Sequence, residues 1–359
     1  MNQAREEINC EEVYSMGITG KGVGVAILDT GIYLHEDLEN RVTAFEDMVH
    51  GRAEPYDDNG HGTHVAAIIG GSGAASQGCY RGVAPGCHVI SVKVLDERGN
   101  GYASDVLAGL RWIRANKERY DIRIVNISVG SLSRKDMTEN SILVRGVNAA
   151  WDDGLVVVVA AGNHGPGRMT ITTPGISRKV ITVGCSDDHK EVEVMGSSMV
   201  DYSGRGPTWA CVLKPDIVAP GSGIISCSNT PGRYFSKSGT SMSTPLVSGA
   251  IALLLEKYPE MTNKDVKLRI RERALDLGLP HNQQGWGSWM RPAFWRIPCN
   301  TGRLTEPPSG PKRRRAVQGR SGLQEALPPP PVPVLRNGAR SLLPSYKKEL
   351  MEPARWYRS

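Results

Sequence analysis

The sequence predicts the α/β fold class, with a mostly parallel central sheet flanked by helices on both faces. Three observations carry that reading. From about residue 22, apolar runs of strand length alternate with amphipathic or apolar stretches of helix length, the pattern of repeated β-α-β units. Most of those runs are continuous rather than alternating, as strands covered on both faces require. The chain has 359 residues, 40% hydrophobic and 22% charged, which suits one large α/β domain or two domains and excludes a wholly disordered, collagenous or coiled-coil protein.

The elements follow in chain order. Strands are expected at residues 23–28, 88–94, 122–128, 155–160 and 180–184, and all but the second are continuous apolar blocks. A helix is expected over 104–116, where Val106, Leu110 and Ile113 fall on one stripe, and others over 140–151 and 241–258. A fourth, over 262–275, opens with Thr262 and Asp265 at capping-box spacing. No internal repeat is seen.

Charge divides unevenly along the chain. Residues 287–359 hold 14 Lys/Arg against 4 Asp/Glu, leaving 29 against 33 over residues 1–286, so the net +6 comes from the end of the chain. A basic total of that origin says nothing about a nucleic-acid groove, and no nucleic-acid partner is expected. The same final 73 residues contain 12 of the 23 prolines and the run Lys312-Arg313-Arg314-Arg315, and read as a disordered tail. Seven scattered cysteines show no C-x-x-C pair and no zinc-ligand spacing, so reduced, mostly buried thiols are expected and no metal is assigned. The polar N-terminus lacks the layout of a secretory signal, and no apolar run approaches the roughly 20 residues that span a bilayer. A cytoplasmic location without membrane contact is therefore expected.

Three segments put a reactive side chain at a strand end or a helix start, where sites form in open α/β sheets. Asp29 ends the first buried strand and is followed by Thr30-Gly31; His61 precedes an apolar helix among small neighbours; Ser241 sits near a helix N-terminus with Pro245 in the first turn. Free backbone N–H groups at such a terminus stabilise negative charge. Singly, each residue also reads as a turn former or a cap. Together they supply a carboxylate to orient an imidazole, an imidazole to act as base, and a hydroxyl to be activated.

On Asp29-Thr30-Gly31, His61-Gly62-Thr63-His64 and Gly239-Thr240-Ser241-Met242-Ser243-Thr244-Pro245, the chain resembles the subtilisin-like serine proteases, or subtilases, of intracellular type. The resemblance covers roughly residues 18–287, leaving 1–17 as an N-terminal extension and 288–359 as a Pro/Arg-rich tail. It implies a serine endopeptidase acting on polypeptides, with Asp29, His61 and Ser241 catalytic and Asn163, at the end of another buried strand, the oxyanion donor. His64 is expected to be a hydrogen-bonded structural residue, and Thr240 a support for Asn163. Substrate would add as a strand along Ser128, Val129 and Gly130. Ala160, Ala161 and Gly162 would floor a pocket for a large apolar P1 side chain, their small size leaving room and no acidic residue in that wall favouring Lys or Arg. Activity is expected to fall below about pH 7, because an imidazole must be neutral to act as base.

No cofactor is required by this chemistry. Asp37 matches a carboxylate that binds calcium in many relatives, but residues 70–78 lack the Asn-rich loop that completes that site, so the weight is against calcium. Ser243 stands where the family pattern most often has alanine. Two further readings use the same residues: a catalytically impaired homologue that binds peptides, and an esterase or acyltransferase.

The chain departs from the family at both ends. The matching residues begin too early to be preceded by a folding pro-domain, which fits an intracellular enzyme or a truncated N-terminus. After Gly285-Trp286-Gly287 the expected short helix is replaced by Ser288-Trp289-Met290-Arg291. Trp is TGG and Met is ATG, so reading one base earlier through Trp289, Met290 and a CGN codon for Arg291 gives Asp-Ala, as in relatives. A one-base frameshift near Gly287 is therefore expected, with the tail its out-of-frame product.

Overall fold

The computed structural model describes residues 1–133, 135, 137–289 and 357–358. In chain order the strands are β1 (Gly24–Asp29), β2 (Val42–Asp47), β3 (His88–Lys93), β4 (Ile122–Ile127), β5 (Val129–Gly130), β6 (Val156–Ala160), β7 (Ile181–Cys185), β8 (Val192–Val194), β9 (Ser197–Met199), β10 (Ile217–Ala219), β11 (Ile224–Cys227), β12 (Tyr234–Lys237) and β13 (Tyr357–Arg358). The α-helices are α1 (Asn2–Glu7), α2 (Cys10–Tyr14), α3 (His61–Gly70), α4 (Ala103–Asn116), α5 (Ile142–Asp152), α6 (Thr240–Lys257), α7 (Asn263–Arg273) and α8 (His281–Gln284).

Seven strands form the central sheet in the order β10-β7-β6-β4-β1-β3-β2, and each neighbouring pair within it runs parallel. Every position of β1, β6 and β7 is buried, so the sheet is covered on both faces, as the continuous apolar runs require. Two helix pairs, α3 with α6 and α4 with α5, provide the cover. Residues 240–255 of α6 are all buried, which explains why that helix is apolar all round rather than striped. Thr262 and Asp265 close a capping box at the start of α7.

The topology fixes where chemistry sits. β1 lies between β3 and β4, so the chain order reverses there, and the carboxyl ends of β1, β4 and β6 are neighbours. Two strands of the sheet were not foreseen, β2 and β10. The sheet therefore extends one strand further at each edge than the sequence indicated.

At the N-terminus, residues 1–17 fold as α1 and α2, and Met1, Ala4, Ile8, Cys10 and Val13 are buried in the main core. At the other end, Ser288 exchanges backbone hydrogen bonds with Leu275 (2.7 and 2.8 Å), and Trp289 is 1% exposed. Packing thus runs two residues past the expected boundary at 287. The remainder of the expected tail, and with it the expected frameshift product, lies outside the described residues except for β13.

Candidate active site

Asp29 is the last residue of β1 and is buried. Its Oδ1 accepts from the Thr30 N–H at 2.8 Å and lies 2.7 Å from Nδ1 of His61, the first residue of α3. A proton on Nδ1 shared with the carboxylate leaves Nε2 as the basic nitrogen. Asp29 Oδ2 is buried without a protein hydrogen-bond partner, so the carboxylate's charge is directed mainly onto the imidazole.

The imidazole is positioned by a second carboxylate. Asp57 accepts from the Gly60 N–H (2.8 Å), the Thr63 N–H (2.9 Å) and the Thr63 hydroxyl (2.6 Å), satisfying the first turn of α3 in the absence of a side-chain N-cap. The Thr30 hydroxyl donates to Asp57 (2.9 Å) and accepts from the Gly62 N–H (2.8 Å), tying the loop after β1 to the same turn. Burial alone would raise the Asp57 carboxyl, and the hydrogen bonds from Thr63, Gly60 and Thr30 outweigh it, holding the pKa below the ordinary value. A Cβ on Gly62 would stand 2.2 Å from the Gly31 carbonyl oxygen, so only glycine permits this approach.

Ser241 is the second residue of α6, where backbone N–H groups lack intrahelical partners. Its hydroxyl donates to the Ser128 carbonyl at 2.8 Å. Asn163 lies three residues beyond β6, and its Oδ1 accepts from both the Thr240 N–H (2.9 Å) and the Thr240 hydroxyl (3.0 Å). Two donors on that oxygen settle the amide orientation and leave the NH2 group as the donor available to a ligand. The Gly162 N–H donates to the Thr240 hydroxyl at 3.1 Å, completing the support.

His61, Asn163 and Ser241 line one cleft of about 440 Å³. Arg98, Asn100, Glu193, Met195 and Lys237 share that lining and were not singled out in the sequence. They lie on loops and on short β8 and β12, where no motif marks them. Residues 128–130 and 160–162 are not among the lining; they join the site through the backbone of Ser128 and Gly162, and Ala160 and Ala161 are wholly buried. Ser131 exchanges both backbone bonds with Thr173 (3.0 and 2.8 Å), and alternation along an extended chain turns the N–H and C=O of Gly130 the opposite way.

The neighbouring polar groups are structural. His64 is wholly buried with Nε2 at 3.2 and 3.0 Å from the Ile224 and Phe235 carbonyls; burial first, then the Lys237 charge, push its pKa down to about 3. Ser243 Oγ is buried with no partner. His35, Asp37 and Cys227 bring potential ligand atoms within 4.8 Å of one another. Both Asp37 oxygens, however, already accept from donors: Oδ1 from the Ala75 N–H at 2.9 Å, and Oδ2 from the Tyr234 hydroxyl at 2.9 Å and the Cys227 thiol at 3.5 Å. These donors take three of the roughly four lone-pair directions of the carboxylate, which leaves little of it for a hard cation such as calcium. The six described cysteines are unpaired, four of them buried.

A carboxylate-oriented imidazole, a helix-start serine and a side-chain amide at the carboxyl edge of a parallel sheet define the class of α/β proteins that activate a serine hydroxyl. More narrowly, the chain belongs to the Subtilase family (peptidase S8), which matches residues 20–287. It is similar to serine protease AprX of Bacillus subtilis (strain 168), 45% identical over 286 residues, covering 74% of this chain and 65% of that protein. It is also similar to a thermostable alkaline protease of Halalkalibacterium halodurans, 37% identical over 273 residues, covering 76% of this chain and 68% of that one. Among solved structures, sphericase superposes with a TM-score of 0.65 at 31% identity, covering 79% of this chain and 98% of that one. A cold-adapted subtilisin-like serine proteinase gives 0.61 at 30%, covering 74% and 87%. The fold is subtilisin-like.

Proposed function

We propose that this chain is a serine endopeptidase. Asp29 fixes the tautomer of His61 and stabilises its imidazolium; His61 takes the Ser241 proton and returns it to the leaving amine; Ser241 attacks the peptide carbonyl to form an acyl-enzyme. The Asn163 NH2 and the Ser241 N–H hold the oxyanion. One observation carries the reading above the others: His61 stands 2.7 Å from Asp29 on one side, and shares a single cleft with Ser241 and Asn163 on the other.

Polypeptide is the substrate this site fits, laid along Val129–Gly130, where the Gly130 backbone faces away from Thr173. By resemblance to the family, Ala160, Ala161 and Gly162 lie beneath the P1 position, and their small size leaves room there for a large apolar group. The donors crowded on Asp37 support a reaction that needs no calcium there. Among the described residues no helix is long and apolar enough to cross a membrane. The six described cysteines, all unpaired and with Cys79 and Cys211 exposed, support a reducing, cytoplasmic setting.

Mass-spectrometric mapping of denatured casein tests the reading. Purified chain should cut at many sites of broad sequence, with a weak preference for large apolar residues before the cut, and Ser241→Ala should leave casein intact. Turnover of esters without turnover of peptides would contradict it.

A further inference from the structure

The edge assigned to substrate has an occupant in the chain itself. β13 pairs antiparallel with β5, Tyr357 opposite Gly130 and Arg358 opposite Val129. Because Ser131 spends both backbone groups on Thr173, the Gly130 groups that face away from it are the ones a strand at this edge can use. Next to Val129 on this edge stands Ser128, whose carbonyl takes the Ser241 hydroxyl at 2.8 Å. Antiparallel pairing also sets direction. β13 runs from Gly130 toward the nucleophile, the polarity required of the part of a substrate that precedes the scissile bond.

We propose that Tyr357 and Arg358 occupy the substrate edge of their own chain, so that the protein restrains itself by strand addition in competition with polypeptide substrate. The restraint of activity rests on the endopeptidase reading; the occupancy does not. Main-chain pairing is indifferent to side chains, so the occupant is defined by backbone N–H and C=O groups rather than by its sequence. Alanine at both Tyr357 and Arg358 should therefore preserve the pairing, whereas proline at 357 removes the N–H that faces Gly130.

The direct test is amide hydrogen exchange over residues 128–131 in the full chain carrying Ser241→Ala, which removes turnover and self-cleavage. Exchange should be about tenfold slower in that chain than in the same chain lacking residues 353–359, with Tyr357→Pro as fast as the shortened chain and the double alanine variant as slow as the full one. In the active protein, removing 353–359 should lower KM for a peptide substrate several-fold at unchanged kcat, and a peptide of residues 353–359 added back should compete. Equal exchange in all four chains overturns the proposal, as does protection that rises with protein concentration, which would place the strand of a second copy at the edge. The expected exchange pattern without casein cleavage would instead sink the endopeptidase reading and leave the occupancy standing.

Discussion

Asn163 is held in the orientation that its proposed role requires. Thr240 holds its Oδ1 with two donors, so the amide cannot flip without losing both bonds. Asn163→Ala should lower kcat with little change in KM; the scale is borrowed from subtilisin, where loss of the corresponding donor costs about 10²–10³ in kcat. Thr240→Val, which removes one of the two donors, should show a smaller fall in the same direction. Ser243 works the other way, since its buried hydroxyl has no partner. Ser243→Ala should raise stability by about 1 kcal/mol in a urea titration, the relief of an unsatisfied polar group. The sequence marked Asp29, His61, Asn163 and Ser241 because each ends a strand or opens a helix within a recognisable motif. It could not mark Glu193 or Lys237, which reach the cleft from short strands with no pattern of their own. Nor could it show that the Ser243 hydroxyl would be left without a partner, because that depends on what packs around it.

At the level of elements, the site depends on how closely α3 approaches the loop after β1. Asp57 anchors the first turn of α3, and Gly62 lets it come within reach of Gly31. Gly62→Ala should push His61 and Asp29 apart, since its Cβ would meet a backbone oxygen at 2.2 Å. The expected result is a fall in kcat of about 10²-fold or more with a smaller change in KM, the mark of a misplaced base rather than a lost binding contact. The central strands β1, β4, β6 and β7 were legible because burial on both faces leaves a continuous apolar run. β2 was not, since it lies at the sheet edge with intermediate or exposed side chains at five of its six positions, and Thr43 and Glu46 interrupt its apolar pattern. β10, at the opposite edge, has three residues, too few to show a period. The capping box at Thr262 was legible for the opposite reason, being local chemistry at fixed spacing.

Across the whole molecule, acid should act through groups buried in one protonation state. His64 has its pKa pushed down to about 3 from an ordinary 6.5, by burial first and the Lys237 charge second. The unfolded chain gains a proton there that the folded chain refuses. Stability is therefore unaffected by His64 above about pH 6.5 and is lost as pH falls from there toward 3, at up to about 1.4 kcal/mol per pH unit. Asp57 adds to the loss at lower pH, because its depressed carboxyl contributes stability above the unfolded value that disappears as pH falls through the folded one. Urea unfolding between about pH 6.5 and 4 should show a shallower decline for His64→Asn than for the unchanged chain, from a lower starting point. The whole-molecule charge was legible in the sequence, but the buried state of His64 was not, because it depends on carbonyls at Ile224 and Phe235, 160 and 171 residues away along the chain.

Activation of Ser241 by Asp29 and His61 is the centre of the proposed mechanism. Fluorophosphonate labelling, read by peptide mass spectrometry, measures that activation without any assumption about substrate. One adduct on Ser241 is predicted, forming at least about 10³-fold more slowly in His61→Ala. An adduct on another residue, or equal labelling rates in the two proteins, would contradict it.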